Sequence, residues 1–202
     1  MRSQVVVTGI GAVTPIGIGK KAFFEGLRTS RNGIAPVQTF DVKKYRTHMA
    51  GEVKDFEVEN FMSERESHRL ARFVRFAVAC GKMALEDADL TISKDIQERT
   101  GVIMGCGIGG IDITQVQAKI LYTQEPRRVS PFFIPAMIPN MASGQIAIFT
   151  GAKGPNFTVT TACASSMHAI GEAFRTIQRG DADIVLTGGT EASISPLAFG
   201  GF

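Results

Sequence analysis

Hydrophobic and polar positions repeat with two different periods along the chain, and each period predicts one kind of element. Short runs of β-branched and other apolar residues predict buried strands at 5–10, 100–105, 157–160 and 183–187. Apolar residues at helical spacing predict helices at 20–28, 63–89, 111–121, 141–149 and 163–178. Gly151 and Gly180 predict the ends of the last two helices. Strands that alternate with helices indicate an α/β protein with a mostly parallel sheet.

The segment 63–89 has the most distinct helical pattern. Its first residues, Ser63 to Glu66, have the S-x-x-E spacing of a capping box. Phe76 lies outside the apolar stripe and interrupts it. The preceding residues, 34–62, are predicted to be irregular or hairpin-like. The predicted core-facing stripe consists of Leu70, Phe73, Val74, Ala77, Gly81, Ala84 and Leu85.

The composition is that of a globular chain of 202 residues, enough for one domain. A net charge of +3 does not by itself indicate nucleic-acid binding. Three scattered cysteines, no CxxC pair and three histidines predict neither a disulfide framework nor a metal site. No apolar run approaches the length of about 20 residues that spans a bilayer, and Met1 to Gln4 shows no leader. We therefore expect a cytoplasmic protein that binds neither nucleic acid nor membrane.

A nucleotide cofactor is not predicted. Gly9–Ile10–Gly11 after the first predicted strand matches the start of a dinucleotide-binding fingerprint. Thr14 stands at the third glycine position, and no acidic residue ends a second strand about 20 residues later. We therefore expect these glycines to serve a tight turn. A phosphate-binding G-x-x-x-x-G-K-S/T loop is also absent from the sequence.

Candidate chemistry is concentrated in Thr160–Thr161–Ala162–Cys163–Ala164–Ser165–Ser166. A strand ends and a helix begins within this segment, and small side chains flank the cysteine, as in the elbows that present a nucleophile. The positive end of a helix dipole favours a thiolate, and backbone N–H groups there can bind an oxyanion. Cys163 also continues an apolar stripe, so a buried structural cysteine is the alternative. The pattern alone leaves both interpretations open.

The other candidate residues have simpler interpretations. Cys80 lies beside the stripe of the long helix, and Cys106 lies in the glycine-rich turn 105–110, so both are expected to pack as small residues. His168 is five residues past Cys163, which turns it away from the thiol, and neither His48 nor His68 is placed as a base.

Two basic stretches stand out beside these residues. Their four members form a solvated face or bind an acidic partner. The members are Arg65, Arg69, Arg127 and Arg128.

Several of these stretches together resemble the β-ketoacyl-acyl-carrier-protein synthases, within them the type II elongating enzymes. The matching stretches are V-V-V-T-G-I-G-A-V-T-P-I-G at 5–17, G-C-G-I-G-G at 105–110, M-I-P-N-M-A-S-G-Q-I-A-I at 137–148, G-A-K-G-P-N at 151–156, T-A-C-A-S-S at 161–166 and G-G-T-E-A at 188–192. The combination of T-A-C-A-S-S with G-G-T-E-A about twenty residues later is the most specific. Thiolases share the fold implied here, but not this set of motifs.

The resemblance implies a thiolase-like fold with a layered αβαβα arrangement, of which 1–202 is the N-terminal half. It implies that Cys163 takes an acyl chain from acyl carrier protein for condensation with a malonyl thioester, with the Cys163 N–H in the oxyanion hole. It places Ile108 and Phe202 in the acyl pocket. It also assigns the four arginines to carrier binding, and it implies a homodimer at full length.

The resemblance further implies that the C-terminal half is absent, with the family's two catalytic histidines, its catalytic lysine and a second glycine-rich loop. We therefore expect the chain alone to be incomplete for condensation. The alternative function is that of a non-catalytic ketoacyl-synthase-like partner or dimer-forming module of the chain-length-factor type. Such partners replace the cysteine, and Cys163 is present here.

Overall fold

The computed structural model describes residues 4–202. The prediction that the chain starts without a leader concerns Met1–Ser3 in part, and these residues lie outside the described part of the chain. The strands are β1 Val13–Thr14, β2 Gly17–Ile18, β3 Ala35–Pro36, β4 Met49–Ala50, β5 Thr100–Gly105, β6 Asn156–Val159 and β7 Ile184–Gly189. The α-helices are α1 Lys20–Arg28, α2 Glu64–Ser67, α3 Arg72–Asp87, α4 Ile111–Thr123, α5 Phe133–Met137, α6 Met141–Thr150, α7 Ser165–Arg179 and α8 Pro196–Gly201.

The centre of the fold is a parallel sheet of three strands in the order β6-β5-β7. All six residues of β5 are buried, as expected for a central parallel strand. Val102 and Met104 belong to the main core, which α3 and α6 complete, whereas Ile103 packs on the other face against Ala169 and Ala173 of α7. The predicted α/β architecture with a parallel sheet is confirmed, with helices covering both faces of β5.

Helix α7 lies unusually close to the carboxyl ends of the strands. An ideal Cβ added to Gly105 would lie 2.4 Å from the Ser165 backbone, and one added to Gly189 would lie 2.5 Å from Ser166 Cβ. No other residue type fits at either position without moving the helix. These two glycines therefore bring the start of α7 directly onto the sheet.

The predicted single helix at 63–89 is wrong, because the chain forms two helices there. The Ser63 capping box is present at the start of α2, with both reciprocal hydrogen bonds. Ala71 then adopts an extended conformation (φ −64°, ψ 157°) before α3 begins. Leu70 and Ala71, at this turn, are both buried in the core. Phe76 does not interrupt the buried surface either, since its buried ring contacts Phe56 at 5.0 Å between centroids.

The predicted strand at 5–10 is also absent from the structure. Within the described part of the chain no strand pairs with this segment, and Val6 and Val7 are 65% and 82% exposed. A β-branched run forms a strand only when a partner accepts its backbone hydrogen bonds. Gly9 and Gly11 do not form the expected tight turn. They allow close packing on α3, where added Cβ atoms would lie 2.1 Å from Ala84 O and 2.0 Å from Cys80 O.

A small hairpin at 35–50 matches the predicted hairpin-like region, with β3 and β4 paired antiparallel. The buried carboxylate of Glu52 stabilises the segment that follows β3 in this hairpin. Its oxygens accept hydrogen bonds from the N–H groups of Gln38 and Thr39 and from the Thr39 hydroxyl. Burial acts to raise the pKa of Glu52, but these hydrogen bonds outweigh it, so that the pKa lies below its ordinary value.

Residues 4–202 contain neither a membrane-spanning helix nor a cluster of metal-ligating side chains. No helix there is both long and apolar enough to cross a bilayer. Nor do three or more His, Cys, Asp or Glu side chains come together there in a way that could hold a metal ion.

Candidate active site

Three loops meet at the carboxyl edge of the parallel sheet, and one of them carries Cys163. The elbow 160–164 follows β6, the glycine-rich turn 106–110 follows β5, and residues 190–192 follow β7. The strand ends are aligned, since Gly105 pairs with both Val159 and Gly189. This edge is where open parallel sheets bind their ligands.

Cys163 is exposed at the tip of the elbow, two residues before α7 begins at Ser165. The predicted elbow is therefore present, although α7 starts two residues later than predicted. Ala162, the residue before Cys163, has a positive φ of 51°, a left-handed conformation that is uncommon for residues other than glycine. An observed strain of this kind beside an exposed thiol is typical of functional sites.

Ser165 holds the elbow in this conformation. Its buried hydroxyl accepts a hydrogen bond from the Thr161 N–H at 2.8 Å and donates one to the Ala162 carbonyl at 2.7 Å. The Ser165 N–H also donates to the Ala162 carbonyl, at 3.1 Å. These bonds close the turn on both sides of Cys163, so that the thiol is presented by backbone that is fixed in advance.

The glycine-rich turn lies beside the elbow. An ideal Cβ on Gly107 would lie 3.5 Å from the Ala162 carbonyl oxygen, so the two loops pass at near-contact distance. Ile108, the next residue, is 39% exposed on this turn. The structure thus places Ile108 on the loop that adjoins the elbow, while its assignment to an acyl pocket stays a prediction.

Glu191 connects the third loop to the glycine-rich turn. Its Oε2 accepts hydrogen bonds from the N–H groups of Gly107 at 3.1 Å and Ile108 at 2.7 Å. The same oxygen lies 3.9 Å from the sulfur of Cys106. One carboxylate oxygen therefore contacts three consecutive residues of the turn, 106–108.

The two other cysteines are poorly suited to nucleophilic chemistry. Burial raises the pKa of the Cys80 thiol to about 11. Burial, and next the negative charge of Glu191, raise the pKa of Cys106 to about 12. Both thiols stay protonated at neutral pH, and the thiolate is the reactive form. Cys106 is part of the hydrophobic core, in agreement with its predicted packing role.

Each of the three histidines has a local partner. His48 Nε2 lies 3.1 Å from the Tyr45 carbonyl oxygen, and His68 Nε2 lies 3.3 Å from Glu64 Oε1. His168 Nδ1 lies 2.8 Å from the hydroxyl of Thr161. This contact joins the first turn of α7 to the start of the elbow.

Of the four arginines, Arg69 lines a surface cavity, together with Phe132 and residues of α4. The Arg69 guanidinium lies over the Phe132 ring at 5.1 Å. Arg65, Arg127 and Arg128 are exposed, and Arg127 is paired with Glu125. The structure therefore brings Arg69 close to the chain that follows Arg128. Binding of a carrier by the four arginines stays a prediction.

Two further apolar surfaces are open to water. Phe202, predicted for the acyl pocket, is 91% exposed at the end of α8. The outer face of α7 carries three exposed side chains, Met167 at 73%, Ile170 at 45% and Phe174 at 40%. Cys163 and this face are both exposed in residues 4–202, rather than buried in the core.

The sequence pattern did not predict the support that Ser165 gives to the elbow or the support that Glu191 gives to the neighbouring glycine-rich turn. The spacing of Thr161, Ser165 and His168 is helical and could have suggested their contacts. Glu191 follows β7 and binds the turn that follows β5, so this contact depends on β7 and β5 being neighbours in the sheet. A local sequence pattern does not show which strands are neighbours.

Comparisons with known proteins agree with one another. A family model described as "Beta-ketoacyl synthase, N-terminal domain" matches residues 2–202. The 3-oxoacyl-[acyl-carrier-protein] synthase 2 of Staphylococcus aureus (strain COL) is 45% identical over 199 residues, which are 98% of this chain and 48% of the relative. The protein of that name from Synechocystis sp. (strain ATCC 27184 / PCC 6803 / Kazusa) is 47% identical over 201 residues, 100% of this chain and 48% of the relative.

Solved structures give the same result. "The ishigamide ketosynthase/chain length factor" superposes with a TM-score of 0.89 at 32% identity, covering 98% of this chain and 50% of that chain. "AntDE:AntF (apo): type II PKS acyl-carrier protein in complex with its ketosynthase bound to the hexaketide" superposes with a TM-score of 0.85 at 26% sequence identity, covering 98% of this chain and 54% of that chain. The chain spans about half the length of the curated relatives it matches. The fold is that of thiolase-like ketosynthases, and the chain belongs to the β-ketoacyl synthase family, whose N-terminal domain it matches.

Proposed function

We propose that this chain is the acyl-accepting half of a β-ketoacyl-acyl-carrier-protein synthase of fatty-acid elongation, and that Cys163 is its nucleophile. The observation that carries the proposal is the exposure of Cys163 at a strained elbow that Ser165 holds in place. The relatives named as synthases of this kind support the substrate class.

The proposed step is a thioester exchange. The Cys163 thiolate attacks the carbonyl carbon of an acyl thioester on the carrier protein, and the carbonyl oxygen takes the negative charge. When the tetrahedral intermediate collapses, the bond between the carbon and the carrier's sulfur breaks. The carrier leaves as a thiolate and takes up the proton that Cys163 lost, so that the number of thioesters is unchanged.

The start of α7 favours this step electrostatically. Cys163 lies just before a helix of 15 residues, whose N-terminal dipole stabilises negative charge nearby. The Cys163 N–H is the donor that we assign to the oxyanion, following the family resemblance. Such a donor is effective because the elbow fixes it before charge develops.

The four arginines are proposed to bind the acidic carrier protein. One neighbour's title describes an acyl-carrier protein in complex with its ketosynthase. Arg69 lines the cavity described above, and Arg65, Arg127 and Arg128 are exposed. Electrostatic complementarity between such groups and an acidic partner mainly raises the rate of encounter. Ile108 and Phe202 are proposed to line the acyl pocket, and a homodimer in the cytoplasm is proposed for the full-length protein.

Condensation needs more than this chain contributes. Decarboxylation of a malonyl thioester requires donors that stabilise the enolate, and these must be positioned in advance. The three histidines are hydrogen-bonded or paired elsewhere. We propose that the segment corresponding to the other half of the relatives supplies these donors, and that 1–202 alone does not condense acyl and malonyl units.

A non-catalytic partner of the chain-length-factor type is the second candidate, and one structural neighbour is the ishigamide ketosynthase/chain length factor. Such a partner would bind a synthase without taking an acyl group. The presence of an exposed Cys163 favours the catalytic function.

Acyl transfer can be tested on the purified chain. We expect incubation with acyl-carrier thioester to add one acyl mass to the wild-type chain and to Cys80→Ala, and none to Cys163→Ala. Cys80 is a suitable control because its thiol is largely buried and has a raised pKa. Acylation that survives in Cys163→Ala would refute the nucleophile. A ketoacyl product from the lone chain would show that its own residues supply the enolate donors.

A further inference from the structure

Glu191 occupies a position that the proposed chemistry does not use. It follows β7, whereas the backbone groups that it binds follow β5, the neighbouring strand. The elbow with Cys163 lies on the opposite side of β5, after β6. The glycine-rich turn is therefore held between Glu191 on one side and the elbow on the other.

Gly109 and Gly110, at the far end of the turn, pack closely on Met137, whereas Gly107 and Ile108 depend on Glu191. Four of its six residues at 105–110 are glycines, which lack side chains and allow many backbone conformations. At its ends, the Cys106 N–H donates to the Val159 carbonyl and the Gly110 N–H donates to the Met137 carbonyl. Between those ends, the N–H groups of Gly107 and Ile108 both donate to Glu191 Oε2. Hydrogen bonds to an ionised acceptor are roughly twice as strong as neutral ones.

We infer that Glu191 is a positioning residue that fixes Ile108 beside the elbow and thereby sets the acyl chain length that Cys163 accepts. Gly107 passes the Ala162 carbonyl at near-contact distance, so a shift of the turn changes the space next to Cys163. Ile108 is the large apolar side chain of this turn, 39% exposed at its tip. The inference rests on the proposed function, because it concerns selection among acyl groups at the same site.

The first measurement addresses the turn itself. Glu191→Gln keeps an acceptor oxygen but removes the charge, and Glu191→Ala removes both. We expect amide hydrogen exchange at Gly107 and Ile108 to be about tenfold faster in Glu191→Gln and faster again in Glu191→Ala. Glu98→Gln is the matched control, because that exposed carboxylate lies before β5 at the opposite end of the sheet and pairs with Lys153. Unchanged exchange in Glu191→Ala would overturn the proposal.

The second measurement addresses chain length. The rates of Cys163 acylation by a long-chain and a short-chain carrier thioester give a ratio, and we expect Glu191→Gln to move that ratio at least fivefold towards one. In an Ile108→Ala background, Glu191→Gln should change the ratio less than twofold, because the two residues act through one element. A residue with a purely structural role would lower both rates together and leave the ratio unchanged, which would overturn the proposal. If the wild-type chain takes no acyl group, the proposed function is refuted, and hydrogen exchange still decides whether Glu191 holds the turn.

Discussion

The three cysteines of this chain should react with a thiol reagent at very different rates, and the structure indicates the order. Iodoacetamide reacts with the thiolate, so its rate at each site follows the thiolate population and the access of the reagent. The pKa of Cys80 is raised to about 11 and that of Cys106 to about 12. Cys163 is exposed at the elbow.

The size of the difference follows from these values. An ordinary cysteine has a pKa of about 8.5, so at pH 8 about a quarter of it is thiolate. The pKa of about 11 lowers the thiolate population of Cys80 about two hundredfold below that reference. The pKa of about 12 lowers that of Cys106 about two thousandfold. Burial reduces access further, so we expect Cys163 to be labelled at least about a hundredfold faster than either.

The assay uses limiting iodoacetamide on the folded chain at pH 8, followed by peptide mapping of the adducts over time. Denatured protein serves as the control, and there the three sites should differ by less than about threefold, since burial no longer separates them. Preferential labelling of Cys80 or Cys106 in the folded chain would refute the reasoning. A preference for Cys163 that persists after denaturation would show that local sequence, not the fold, causes it.

Three further predictions concern the surface and the core. Reversing the charges of Arg127 and Arg128 to Glu should weaken carrier binding about tenfold or more at low salt, with a smaller effect at high salt, and calorimetric titration that finds equal affinity would make them a plain solvated face. Glu52→Gln should lower the free energy of unfolding at pH 7 by about 1–2 kcal/mol. Because the pKa of Glu52 is lowered on folding, its stabilisation is present above about pH 4.3 and is lost as the pH falls through the folded value, so an equal loss in denaturant titrations at every pH would contradict it. Gly105→Ala would place a Cβ 2.4 Å from the α7 backbone and should cost about 2–3 kcal/mol, whereas Gly171→Ala, in the same helix with nothing within 4 Å of the added Cβ, should not destabilise; thermal unfolding distinguishes the two.

The sequence predicted correctly the elements that are marked by contacts between near neighbours or by a run of buried residues. Strand β5 has the predicted bounds because all its residues are buried, so that an uninterrupted apolar run marks it from end to end. The Ser63 capping box was predicted from its spacing, because it involves residues only three apart.

The missed features depend on contacts between distant parts of the chain. Ala71 adopts an extended conformation between α2 and α3, and Leu70 just before it and Phe73 shortly after it are buried in the core. That packing involves distant parts of the chain and has no local sequence signal. The run at 5–10 has strong strand propensity, but propensity does not supply a neighbouring strand. Helix α7 starts later than predicted because Ser165 makes hydrogen bonds to residues before the helix. The pattern of apolar residues in α7 does not indicate these bonds.

The elbow was predicted from the sequence, but the contacts that support it were not. A strand, small residues and a helix in succession predicted the elbow and left open whether the Cys163 thiol is exposed or buried. The holding of the neighbouring turn by Glu191 required the strand order β6-β5-β7, which is a property of topology. Sequence patterns describe neighbours along the chain, whereas catalytic geometry is set by neighbours across the sheet.

The two faces of α7 imply different tolerance to mutation. The inner face has Ala169 and Ala173 against the sheet, where even one added methylene would force the helix away. The outer face carries Met167 and Phe174 in water, where most polar replacements would leave the stability of this chain within about 0.5 kcal/mol. A library of variants sorted only for folding of residues 1–202 would thus accept nearly any residue on the outer face. The same library sorted for condensation in the presence of the C-terminal half of a relative would show which of these replacements the proposed function does not tolerate.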